Sequence, residues 1–181
     1  ALPICQQSIE SLNRNLEGTG LRSEYLDFVN SKGTNGKALE NIYASPETGY
    51  VVMRPSNSTE FDNQTVIFSD FGKNPYAHGH SDAMNFTAFT QGQSITIDSG
   101  GPYLYSPNAR RYYKSKFAHN SLVINAEGTD KQDAKLIDAK CFENICYSLG
   151  QIEQRDTIHT RVVLATRGKT SLIYVFDRVD S

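Results

Sequence analysis

Met84-Asn85-Phe86-Thr87-Ala88-Phe89-Thr90-Gln91-Gly92-Gln93-Ser94-Ile95-Thr96-Ile97-Asp98 reads as two β-rich runs folded back on each other at Gln91-Gly92-Gln93. A short glycine-containing turn between such runs is a hairpin signal. Residues 94–98 alternate strictly, which sends Ile95 and Ile97 to one side of a strand and Ser94, Thr96 and Asp98 to the other. Asp98 therefore ends a polar face, just before Ser99-Gly100-Gly101-Pro102 turns the chain.

The same texture extends both ways. Runs at 50–54, 64–71, 121–125, 141–149, 157–166 and 171–179 are separated by Gly, Asn, Asp and Pro, and Arg167-Gly168-Lys169-Thr170 joins the last two as a second hairpin. Short strands punctuated in this way predict a mainly β domain, an antiparallel β-sandwich, over residues 37–181. Upstream, Ile9, Leu12 and Leu16, then Leu21, Tyr25, Phe28 and Val29, recur at helical spacing, with Gly18, Gly20, Gly33 and Gly36 as stops. One or two short helices are expected in residues 1–36. They are too small to form a core alone and must pack on something else.

The 181 residues suit one domain, and a formal charge of −2 argues against nucleic acid as a partner, which calls for a clearly basic surface. No apolar run approaches the length of a membrane span, so no membrane partner is expected. The N-terminus carries no signal-peptide pattern, but a start at Ala1 reads as a processed or excised chain, so export stays open. Three cysteines, Cys5, Cys141 and Cys146, form an odd count without a Cys-x-x-Cys spacing. They imply neither a disulfide framework nor a thiolate zinc site; buried thiols are expected, with a Cys141–Cys146 bridge as the alternative in an oxidising compartment.

Three of the four histidines lie between positions 78 and 119. His78 and His80 are two apart, so extended backbone projects both to one face, about 7 Å between α-carbons. Such a pair suits a metal, or a ligand beside a catalytic group; the plainer alternative is two loop histidines satisfied by backbone or water. Three metal readings compete. The His-x-His-x-Asp-His pattern of metallo-β-lactamases fails at its last position, where Ala83 stands. His80, Asp82 and His119 would form the two-histidine, one-carboxylate triad of a non-haem iron oxygenase, yet no arginine follows His119 at the spacing such enzymes use to hold a 2-oxo acid. His80, Asp98 and His119, with water completing the shell, suit zinc and leave His78 free to act on a substrate.

Arg110, Arg111, Lys114 and Lys116 place four positive charges in seven residues, interleaved with Tyr112 and Tyr113 and preceded by Tyr103 and Tyr105. A charge run is ordinarily a solvated face. The tyrosines favour a substrate site, because arginine grips carboxylate or sulfate bidentately and aromatic faces support sugar rings.

Taken in order, His78-Gly79-His80-Ser81-Asp82-Ala83, Asn85-Phe86, Ile97-Asp98-Ser99-Gly100, Arg110-Arg111-Tyr112-Tyr113 and Ala118-His119-Asn120-Ser121-Leu122-Val123-Ile124 resemble the signature of the heparinase II/III-like polysaccharide lyases. Ser45-Pro46 and Gly49-Tyr50-Val51-Val52-Met53-Arg54 are similar to that family's entry into its β domain. The resemblance implies a β-sandwich that follows an α/α toroid in bacterial enzymes, periplasmic or secreted, which cleave uronate-containing polysaccharides by β-elimination. It places a divalent metal, zinc, on His80, Asp98 and His119, and an active-site histidine on His78. Tyr105, Arg110, Arg111 and Tyr112 would line one wall of the substrate cleft, and the toroid would supply the other wall with the catalytic tyrosine. A chain without that toroid is expected to be inactive. The alternative is a non-catalytic carbohydrate-binding or structural sandwich.

Overall fold

The computed structural model describes residues 27–28, 31–56, 63–73, 79–99, 106–125, 128–129, 132–154 and 156–181. Of the helices expected in residues 1–36, only Asp27 and Phe28 fall among these, and they are helical. No helix among the described residues is long and apolar enough to cross a membrane.

The first sheet runs β1 (Ile42–Ser45), β2 (Tyr50–Met53), β3 (Val66–Asp70), β4 (Phe86–Thr90) and β5 (Gln93–Ser94), each paired antiparallel to the next. A short helix α1 (Pro107–Tyr113) and a 3-10 turn (Lys116–Ala118) follow. The second sheet is an antiparallel meander of β6 (Lys135–Cys141), β7 (Ile145–Gln154), β8 (Thr157–Thr166) and β9 (Ile173–Asp180).

The two sheets pack face to face as a β-sandwich, as the sequence pattern led one to expect. Val51, Met53, Ile67, Phe71 and Ala88 from the first sheet side meet Cys146, Ile152, Val163 and Ala165 from the second. Each large side chain removed from water here contributes about 1.5–3 kcal/mol. The contact is close enough that a Cβ on Gly150 would run into the Phe71 ring. Ser69 and Ser148, both fully buried, satisfy each other across the gap at 3.2 Å, as buried hydroxyls must.

At the β4–β5 hairpin Thr90 pairs with Gln93, so the loop is the two residues Gln91 and Gly92, with φ of 50° and 74°. Positive φ at both positions matches the strand twist. Beyond Ser94 the expected strand stops, because the Thr96 hydroxyl replaces a ladder carbonyl in accepting the Ala88 N–H (2.8 Å). The expected alternation persists: Ile95 and Ile97 are 56% and 73% exposed, while Thr96 and Asp98 point inward. The polar side wins the interior because its groups find partners there.

The strand expected at 121–125 is absent, apart from a single bridge residue at Ile124. That segment is pinned by side chains instead: Ser121 Oγ donates to Ala83 O (3.2 Å), and Asn120 Nδ2 to Phe86 O (3.0 Å). The run at 141–149 is divided by a hairpin closed by Phe142 N–H on Ile145 O (2.7 Å). Cys141 and Cys146 are cross-strand partners in it and are disulfide-bonded. This corrects the expectation of free thiols there: a tight hairpin places the two side chains opposite each other.

Candidate metal site and basic helix

The site is assembled from two irregular segments at the edge of the first sheet. Residues 79–85 connect toward β4 through a turn in which Asn85 N–H bonds Asp82 O (2.9 Å) and Met84 takes φ 69°. Left-handed backbone at a non-glycine residue is costly and persists only where surroundings fix it. Here Met84 N–H is held by Asp70 O (2.9 Å), and Asn85 O accepts Asp70 N–H (2.9 Å). His119 follows the 3-10 turn in extended conformation.

His80 Nδ1 lies 3.2 Å from His119 Nε2. On its other side, His119 Nδ1 lies 2.9 Å from Asp98 Oδ2, with the His119 side chain 1% exposed. A carboxylate only accepts, so Nδ1 is the nitrogen that donates to Asp98, and Nε2 is the one directed at His80. Asp98 is fixed in turn by Asn85, whose Nδ2 donates to Oδ2 (2.6 Å) while its Oδ1 accepts Asn120 N–H (3.0 Å). Burial first, then the neighbouring His119 and Lys114, push the His80 imidazole down from its ordinary value against the upward pull of Asp82 and Asp98. A neutral ring is the form that binds metal.

Among the described residues, one group of donor atoms lies within 4.8 Å of one another: His80, Asp82 and His119. The donors fit a divalent metal. Two nitrogens each about 2.0–2.1 Å from a tetrahedral zinc stand about 3.3 Å apart, close to the 3.2 Å found here. Of the expected set, His80, Asp98 and His119 form one continuous chain of contacts, with Asp98 at the His119 nitrogen that faces away from His80. His78 and Tyr105 lie outside the described residues.

Helix α1 carries Arg110 and Arg111 in its last turn, where cations complement the helix dipole. No residue of α1 is buried, and Tyr112 is 51% exposed with its ring edge-on to Tyr113. The helix is joined to the segment bearing His80 by Ser81 N–H on Lys114 O (2.8 Å). Lys116 does not belong to this basic face. It is 4% exposed and its Nζ donates to Gln132 Oε1 (2.7 Å).

Two participants carry signals that the sequence offered without a role attached. Asn85 stands in the short Asn85-Phe86 motif. Arg161 stands at an inward position of β8, where period two aligns His159, Arg161, Val163 and Ala165 on the core face. A lone guanidinium on an apolar face signals a polar partner across the interior.

Residues 38–175 match the family described as Heparinase II/III-like, C-terminal. No curated protein sequence matches the chain. Among solved structures, heparan sulfate lyase HepC from Pedobacter heparinus is 19% identical with a TM-score of 0.74, covering 97% of this chain and 27% of its own. A mutant of that lyase gives 20% identity and a TM-score of 0.75 over 96% of this chain and 27% of its own. The heparinase III BT4657 gene product is 16% identical with a TM-score of 0.78, covering 97% of this chain and 28% of its own. The chain thus has the fold of a part of those proteins and spans little more than a quarter of their length.

Proposed function

Because the match takes in residues 38–175, the chain belongs to the heparinase II/III-like family, and on that footing we propose that it is the β-sandwich part of a polysaccharide lyase that cleaves uronate-containing chains by β-elimination. The observation that carries the reading is the main-chain bond from Ser81 to Lys114, which sets a helix bearing Arg110 and Arg111 against the segment bearing His80. A cation face beside a histidine cluster suits an acidic polymer such as heparan sulfate or alginate.

β-Elimination from a uronate requires that the carboxylate be neutralised, the C5 proton removed and the departing C4 oxygen protonated, with no water added across the bond. In this reading Arg110 and Arg111 grip the acidic groups of the polymer, and Tyr105 and Tyr112 support its rings. His78 acts at the sugar, neutralising the carboxylate or moving a proton. His80 and His119, with Asp98 as the expected carboxylate donor, would hold a divalent metal, zinc, which would supply a fixed positive charge between their segments. The group within 4.8 Å favours a second assignment, with Asp82 as the carboxylate donor and Asp98 orienting His119.

The remaining wall of the cleft comes from a partner domain, an N-terminal α/α toroid, in keeping with the small share of the solved lyases that this chain spans. The isolated chain accordingly has no turnover. The Cys141–Cys146 bridge supports a periplasmic or secreted protein, since structural disulfides persist in oxidising compartments.

The test is to incubate the protein, with its native flanking sequence, with heparan sulfate, alginate and a neutral glucan. Unsaturated uronate ends are expected from an acidic polymer only, and their formation is lost in His78→Ala. Binding of acidic polymer without any product would leave a non-catalytic carbohydrate-binding sandwich and end the lyase reading.

A further inference from the structure

We infer that Arg161 is a positioning residue for the metal site, tying both ligand-bearing segments to the opposite sheet so that His80 and His119 keep their spacing. The inference rests on the reading of those histidines as metal ligands. Arg161 belongs to β8, in the second sheet, yet its Nη1 crosses the interior to donate to Met84 O (2.6 Å) and to Asn120 O (2.5 Å). Met84 lies two residues past Asp82, and Asn120 directly follows His119. One nitrogen thus bridges the main chains of both segments.

The rest of the guanidinium is equally committed. Nε and Nη2 donate to the two oxygens of Asp177 (2.8 and 2.9 Å), and His159 Nε2 shares Asp177 Oδ1 (2.7 Å). Arg161 and Asp177 are register partners on β8 and β9, so the strand pairing itself aims the fork. A charge only 4% exposed is tolerable only with its donors satisfied. The planar fork can serve a carboxylate on one edge and two carbonyls on another, whereas lysine is a point donor and cannot. The same bond secures Met84 in its left-handed conformation from the carbonyl side, as Asp70 O does from the amide side.

The experiment uses the protein with its native flanking sequence and compares Arg161→Lys and Asp177→Asn with Ser148→Ala. The last removes the Ser69–Ser148 bond between the same two sheets and leaves every hydrogen bond of the Arg161 guanidinium in place. Hydrogen exchange is read by mass spectrometry in the metal-free protein, and zinc affinity by competition with a chromophoric chelator. The expected result is faster exchange confined to residues 79–86 and 117–123 in both Arg161→Lys and Asp177→Asn, with zinc affinity reduced about tenfold or more. Ser148→Ala is expected to do neither, even where it lowers the unfolding temperature as much.

Exchange that is unchanged at the two segments, or raised evenly over both sheets as in Ser148→Ala, would reduce Arg161 to a core brace and overturn the proposal. Local loosening with undiminished zinc affinity would overturn it too. A wild-type protein that takes up no zinc would instead remove the metal reading, and the exchange pattern alone would then decide whether Arg161 positions the two segments.

Discussion

Asp98 holds His119 by the nitrogen that faces away from His80, Oδ2 to Nδ1 at 2.9 Å. His119 is thereby fixed between a carboxylate and a second imidazole. In Asp98→Asn the acceptor charge disappears, and the amide can present N–H where Nδ1–H must be received. Zinc affinity is expected to fall about 10- to 100-fold if Asp98 orients His119, and metal is lost outright if Asp98 is the donor. Elemental analysis of Asp98→Asn beside Asp82→Asn separates the two assignments: metal stripped by Asp82→Asn and only weakened by Asp98→Asn makes Asp82 the ligand.

Asp70 is pushed up to about 6, first by burial and also by the charge of Asp82, against the Gly72 amide that favours its ionised form. The folded protein therefore keeps this proton to about pH 6, whereas the unfolded chain releases it near the ordinary carboxylate value of 3.8. Between those values the native state binds more protons, so stability contributed by Asp70 declines as pH rises through the window. Asp70→Asn keeps an acceptor for Gly72 N–H (2.8 Å) and is expected to stabilise the protein by about 1–3 kcal/mol at pH 8, with little effect near pH 4. Urea midpoints at the two pH values check this; equal gains at both would show that burial of charge is not the cause.

Asp177 behaves oppositely. Burial pushes its carboxyl up, but the His159 and Arg161 hydrogen bonds and the Arg161 charge outweigh it and hold the group at about 2. Its contribution is complete above the ordinary carboxylate range and is lost as pH falls toward about 2. Asp177→Asn should flatten the acid limb of the stability profile while lowering stability at pH 7.

Gly150→Ala is expected to cost about 1–3 kcal/mol, because the new methyl must displace the Phe71 ring from a filled interior. Adding Phe71→Leu should recover part of that loss. A double variant no better than the sum of the two single changes would place the strain elsewhere.

Reducing the Cys141–Cys146 bridge closes off a small effect, since the cysteines are only 5 positions apart. The chain-entropy account gives about 2 kcal/mol for so short a loop. The Cys141→Ala, Cys146→Ala protein should fold, with a urea midpoint close to that of the wild type measured in reductant.

The β-sandwich was legible because alternation and turn residues are local properties, and the hairpins at Gln91-Gly92 and Arg167–Thr170 read directly from them. The side faced by Thr96 and Asp98 was not legible, since it depends on partners brought by Ala88, Asn85 and His119 from elsewhere in the chain. β1 and β6 escaped notice for a related reason. Ile42–Ser45 and Lys135–Cys141 are short or charged and become strands through their neighbours. His80 and His119 stood out as chemistry on the page. Arg161 did not, because a guanidinium that serves two main-chain carbonyls leaves no motif around those carbonyls.

The bond from Ser81 to Lys114 uses main-chain atoms on both sides. Replacing a side chain along α1 therefore removes no atom of the bond to the segment that carries His80. On the proposed function, recognition and metal retention become separately inheritable: descendants could redraw Arg110, Arg111 and Tyr112 for a polymer of different charge pattern while transmitting the histidine cluster intact.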